Sequence, residues 1–132
     1  MVARAEAALA QLSVCFGSWM HEEIGLLDAA RARVHNEGLN GESGDSLNIQ
    51  AHEVKGLAAT FGYPLVTLVT HIAGSLCKLI EDPATRKGAP MFLVDAHIDA
   101  MTAALRDNVR ELDHPVSRAL IHELQTQVRG AI

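Results

Sequence analysis

The chain carries seven histidines, and histidine is the side chain that can act near neutral pH as base, ligand or nucleophile. A helical metal site would need two of them at positions i and i+4 on one face. No such pair occurs. His52-Glu53-Val54-Lys55-Gly56 opens like the zinc-protease pattern H-E-x-x-H, but Gly56 stands where the second ligand is required. Asp95-Ala96-His97-Ile98-Asp99 sets two carboxylates one turn apart beside an imidazole. Lying opposite the Val94, Ile98, Met101 stripe, that segment reads as a solvated face. His21, His35 and His122 read as helix-surface residues, and His114 precedes Pro115 at a helix start.

His52 has different neighbours. It falls one residue off the apolar stripe Leu47, Ala51, Val54, Ala58, at the shoulder where core meets solvent. Asn48 and Ile49 lie one turn before it on the same face, Lys55 and Gly56 one turn after. A mid-helix glycine costs roughly 0.5–1 kcal/mol relative to alanine, so empty space beside the imidazole has a use. Gly56 leaves the ring open to a large partner, and Lys55 puts positive charge where a phosphoryl group on the imidazole would need it. That pattern suits a phospho-accepting histidine. It equally suits a histidine that only decorates a helix shoulder, with Gly56 admitting close packing between helices.

The elements that must hold these residues are marked off by glycine, proline and polar clusters at 36–45, 62–64, 82–90 and 113–115. Between the breaks, apolar residues recur three and four apart, the period of an amphipathic helix. The first segment, about 3–36, carries Leu9, Leu12, Phe16, Met20, Ile24, Leu27 and Val34, with Gly17-Ser18 as a bend or a division into two helices. A second helix starts near Asp45 or Ser46, both suited to N-capping, and adds Phe61 to the Leu47, Ala51, Val54, Ala58 stripe before Gly62 caps its end. A third, about 64–81, starts at Pro64 and buries Leu65, Leu68, Val69, Ile72, Leu76 and Leu79. A fourth, about 91–112, offers Val94, Ile98, Met101, Leu105 and Leu112; a fifth, about 115–130, offers Val116, Leu120, Leu124 and Val128. Short loops between long amphipathic helices predict an all-α chain, an antiparallel up-down four-helix bundle with extra helical length at both ends.

Composition narrows the function classes. At 132 residues with 48% apolar and 4% aromatic content, the chain makes one aliphatic, helical domain. A net charge of -5 argues against a surface that neutralises nucleic-acid phosphates. Cys15 and Cys77, without C-x-x-C spacing, read as buried thiols in a reducing compartment. The first residues lack a signal-peptide pattern and no apolar run is long enough to span a membrane, so the expected setting is cytoplasmic, with no membrane partner.

The stretch Ala51-His52-Glu53-Val54-Lys55-Gly56-Leu57-Ala58-Ala59-Thr60-Phe61-Gly62 resembles the signature of histidine-containing phosphotransfer domains, roughly A-H-x-L-K-G-x-A-x-x-hydrophobic-G. The resemblance implies a bundle with its core at about 18–112, an N-terminal helix at about 3–16 and a C-terminal helix at about 115–130. It also implies a monomeric phosphoryl carrier in a multistep phosphorelay, with His52 as acceptor and Lys55 and Gly56 as its supporting residues. Its partners would be receiver domains of response regulators and hybrid histidine kinases, docking around Asn48, Ile49, Gly56 and Ala59. The chain would bind no cofactor and have no ATP-dependent kinase activity; Mg²⁺ would belong to the receiver. Family members often carry a glutamine on the next helix opposite the histidine, a level expected here near Gly74. The stripe Thr67, His71, Gly74, Lys78 faces the same side, so His71 or Lys78 would take its place.

Two other readings share part of the pattern. His52-Glu53-Val54-Lys55 also looks like the H-box of histidine-kinase dimerisation helices, but Gly56-Leu57 replaces the Thr or Asn followed by Pro usual there, and the length leaves no room for an ATP-binding domain. A dimeric phosphotransferase of that descent fits part of the motif. A non-catalytic helical interaction module fits the bundle alone.

Overall fold

Apolar residues three and four apart bury one stripe on each helix. The computed structural model describes residues 2–60, 67–106 and 115–132, and the side chains of 3–8, 18–58, 68–105 and 117–132. Every regular element among the described residues is an α-helix: α1 (Val2–Glu37), α2 (Glu42–Thr60), α3 (Thr67–Ile80), α4 (Pro83–Arg86), α5 (Met91–Arg106) and α6 (Pro115–Ala131). Met20, Ile24, Leu27 and Val34 of α1 meet Leu47, Ala51, Val54 and Ala58 of α2 in one core. Leu68, Val69, Ile72, Leu76 and Leu79 of α3, Val94, Ile98 and Met101 of α5, and Leu124 and Val128 of α6 complete it. Leu105 and Leu120 are half-buried against it; the other residues of the expected stripes, Leu9, Leu12, Phe16, Phe61, Leu65, Leu112 and Val116, lie outside the described side chains, as do Cys15, Gly62 and Pro64. No helix among the described residues is long and apolar enough to cross a membrane.

Helix α1 packs on α2 and α5, α2 on α3, α3 on α5, and α6 lies against α3 and α5. Arg33 reaches Ser46 at 3.4 Å while Glu23 receives Gln50, so α1 and α2 run antiparallel. His52 faces Glu81 while Lys55 crosses Gly74, so α2 and α3 are antiparallel too.

Several expectations change. Gly17-Ser18 does not divide α1, which runs as one helix of 36 residues, about 54 Å at about 1.5 Å per residue. The separate N-terminal helix expected over 3–16 is therefore the start of α1, and residues 3–8 are exposed all round. Helix α2 begins at Glu42, putting Asp45 in its first turn instead of at its cap. The turn before it depends on Gly38, whose φ of 89° is left-handed and whose N–H donates to the Val34 carbonyl at 2.7 Å.

The polar break at 82–90 also contains structure. Asp82 accepts from the Ala84 N–H at 2.9 Å and caps α4, with Pro83 in the first turn. This single turn delivers Arg86, buried at 3% exposure, whose guanidinium donates to the Gly44 carbonyl at 3.2 Å and to Asp45 at 2.8 Å. The start of α2 is thereby tied to the end of α3.

His97 is the clearest correction. Instead of lying on a solvated face it is fully buried. Its Nδ1–H donates to the Leu93 carbonyl at 2.7 Å, which leaves Nε2 to accept from the Ser75 hydroxyl at 2.9 Å. Burial pushes its pKa down, partly offset by the Leu93 bond. Its flanking carboxylates face α1, where Asp99 accepts from Arg31 at 2.7 Å and Asp95 meets His35 at 3.0 Å.

Candidate functional site

The His52 ring sits on the outer side of α2 because the stripe that buries Ala51 and Val54 turns position 52 outward. Its side chain is 45% exposed. One turn on, Gly56 is also exposed, and a Cβ added there would meet nothing within 4 Å. The space beside the imidazole is therefore open, and close helix packing is not the reason for this glycine. Lys55 is exposed on the same helix.

The residue opposite His52 lies about two turns from the expected level. Gly74 lies under Lys55, whose Cε would come within 3.9 Å of a Cβ built on Gly74. The residue facing the imidazole is Glu81, just past the end of α3, with 3.9 Å between its carboxylate and His52 Nε2. That exceeds hydrogen-bond reach, yet it places a carboxylate beside the exposed ring nitrogen. Both side chains are about half exposed, so Glu81 has room to turn away.

Of the expected docking residues, Ile49 is 62% exposed and Asn48 is half-buried, with its Oδ1 buried and without a hydrogen-bond partner among the described residues. Ala59 lies outside the described side chains. His71 and Lys78 are exposed and come together with Lys55 and Gly74 along one cavity, as their common stripe on α3 implied. Asn48 and Ile49 do not line that cavity.

Exposed apolar side chains also lie along the α1–α2 seam. Gln50 of α2 donates to Glu23 of α1, and Trp19 and Leu26 lie one turn to either side of Glu23. They are 44% and 55% exposed, so with Ile49 they form an apolar border along the α1–α2 seam. Their signal was available: Trp19 and Leu26 are seven apart and off the Met20, Ile24, Leu27 stripe.

Among the described residues no group of three or more His, Cys, Asp or Glu side chains could hold a metal ion. Cys77 is buried and its thiol is pushed up to about 11, chiefly by burial. It is no nucleophile at neutral pH. Comparison with family models, with curated proteins and with solved structures found no match.

Proposed function

We propose that this chain is a histidine phosphotransfer protein, taking a phosphoryl group onto His52 from the aspartyl phosphate of one receiver domain and passing it to another. The observation that carries this reading is the exposed imidazole on the outer side of α2, with Lys55 one turn away and open space beyond Gly56. In the transfer, an unprotonated imidazole nitrogen gives its lone pair to phosphorus as the phosphorus–oxygen bond to aspartate breaks. The electron pair leaves with the carboxylate, and the proton on the other ring nitrogen is free to pass to solvent. Lys55 offsets the added negative charge. The border of Trp19, Leu26 and Ile49 suits a modest, transient contact with a receiver helix. On this reading the receiver brings Mg²⁺, and the chain works as a monomer in the cytoplasm without ATP-dependent kinase activity.

The architecture belongs to the same proposal. We read α1, α2, α3 and α5 as an antiparallel up-down four-helix bundle, with α4 as a one-turn link and α6 as an addition. The circuit of packing from α1 to α2, α3, α5 and back to α1 supports it.

The test is incubation with labelled, phosphorylated receiver domains. Acid-labile, base-stable label should appear on the chain and vanish in His52→Ala. No label across a full receiver panel would favour the helical interaction module.

A further inference from the structure

Between α3 and α6, roofed by Lys55 from α2, lies a cavity of about 460 Å³. That volume falls within the roughly 300–1,000 Å³ usual for small-molecule sites. Lys55, Lys78, Arg129 and His71 all line it, and no Asp or Glu side chain does. This is unexpected in a chain whose acids outnumber its Lys and Arg by 16 to 11. Three arginines outside the furrow are neutralised, Arg31 by Asp99, Arg33 by Glu37 and Arg86 by Asp45, whereas exposed Arg4 and Lys87 are in no ion pair among the described residues. No carboxylate lies within ion-pair reach of Lys55, Lys78 or Arg129 among the described residues.

A second cavity, of about 280 Å³, shares His71 and Gln125 with the first and continues along the same seam past Arg118 and His122. The basic lining is thus a furrow, longer than a single phosphate needs. Val128 gives the larger cavity an apolar wall.

We propose that this furrow binds a small organic phosphate carrying more than one phosphoryl group. Phosphoryl oxygens offer more acceptors than a carboxylate to a set of several cationic donors, the furrow's length suits a phosphoryl chain, and Val128 suits the organic part. His52 lines neither cavity; the furrow shares Lys55, His71 and Lys78 with the phosphotransfer reading but does not need the imidazole that carries it.

The test titrates the full chain with ADP, pyrophosphate and inorganic phosphate while following backbone amides by ¹H–¹⁵N NMR. ADP and pyrophosphate should give saturable shifts centred on residues 70–78 and 125–129, with inorganic phosphate weaker. In the double variant Lys78→Gln, Arg129→Gln, checked for an unchanged fold by its remaining spectrum, affinity should fall at least tenfold; His52→Ala should bind as the parent does. Absence of saturable shifts, shifts reproduced by sodium chloride at equal ionic strength, or undiminished affinity in the double variant would overturn the proposal.

Discussion

At the scale of single residues, the proposed relay sets two charges against each other: Lys55, one turn on, would favour a phosphoryl group on His52, and Glu81, its carboxylate 3.9 Å from Nε2, would oppose it. Two unit charges near that distance interact by about 1 kcal/mol in a water-like medium. Glu81→Gln should therefore raise the yield or lifetime of phosphorylated His52 by several-fold, read as label retained over time; an unchanged or shorter lifetime would show that Glu81 is no brake. Gly56 gives a sharper contrast, since a side chain there meets nothing inside the molecule. Gly56→Gln should leave the melting temperature unchanged or slightly higher while cutting transfer from a receiver at least tenfold. Normal transfer would refute docking over this glycine. His52, Lys55 and Gly56 were legible because their meaning lies within one helical turn. Glu81 was not, because which residue at the end of α3 or just past it faces His52 depends on the register between two helices, and local spacing does not set it.

At the scale of elements, the stripes translated directly into buried faces, whereas the joints did not. The 82–90 segment looked like plain turn chemistry, yet Asp82 and Pro83 there start a helical turn that inserts Arg86 beneath the beginning of α2. Arg86→Met removes the donor to the Gly44 and Ile80 carbonyls and should cost about 2–3 kcal/mol of stability by urea denaturation, given about 1–3 kcal/mol per buried group left unpaired. Gly44 tests the same joint from the other side. A Cβ there would lie 1.7 Å from the Leu39 carbonyl oxygen, so Gly44→Ala should destabilise by about 1–3 kcal/mol or more, whereas Gly56→Ala should be neutral or mildly stabilising. His97 was misassigned because its flanking aspartates suggested solvent. Yet Leu93, His97 and Met101 recur every four residues, and that alignment placed the imidazole on the buried face.

At the scale of the whole molecule, two buried titratable groups each make a pH-dependent contribution to stability. The folded chain holds His97 neutral with a lowered pKa, while the unfolded chain titrates it near the ordinary value of about 6.5. Stability is then complete above about pH 6.5 and is lost as pH falls through the folded value, because only the unfolded state takes up the proton readily. Cys77, pushed up to about 11, works in the other direction: its contribution is complete below the unfolded value of about 9 and is lost as pH rises towards 11. Denaturation midpoints should fall on both sides of neutrality, with the acid limb flattened in His97→Gln and the alkaline limb in Cys77→Ala; parallel curves would exclude these groups. Neither group takes part in the proposed relay, which rests on His52 alone. The most direct measurement is ³¹P NMR of the full chain after mixing with a phosphorylated receiver domain. A phosphoramidate resonance should appear on the parent chain, be missing in His52→Ala and decay when a second, unphosphorylated receiver is added. A resonance that survives in His52→Ala, or none with any receiver tried, would contradict the proposed relay.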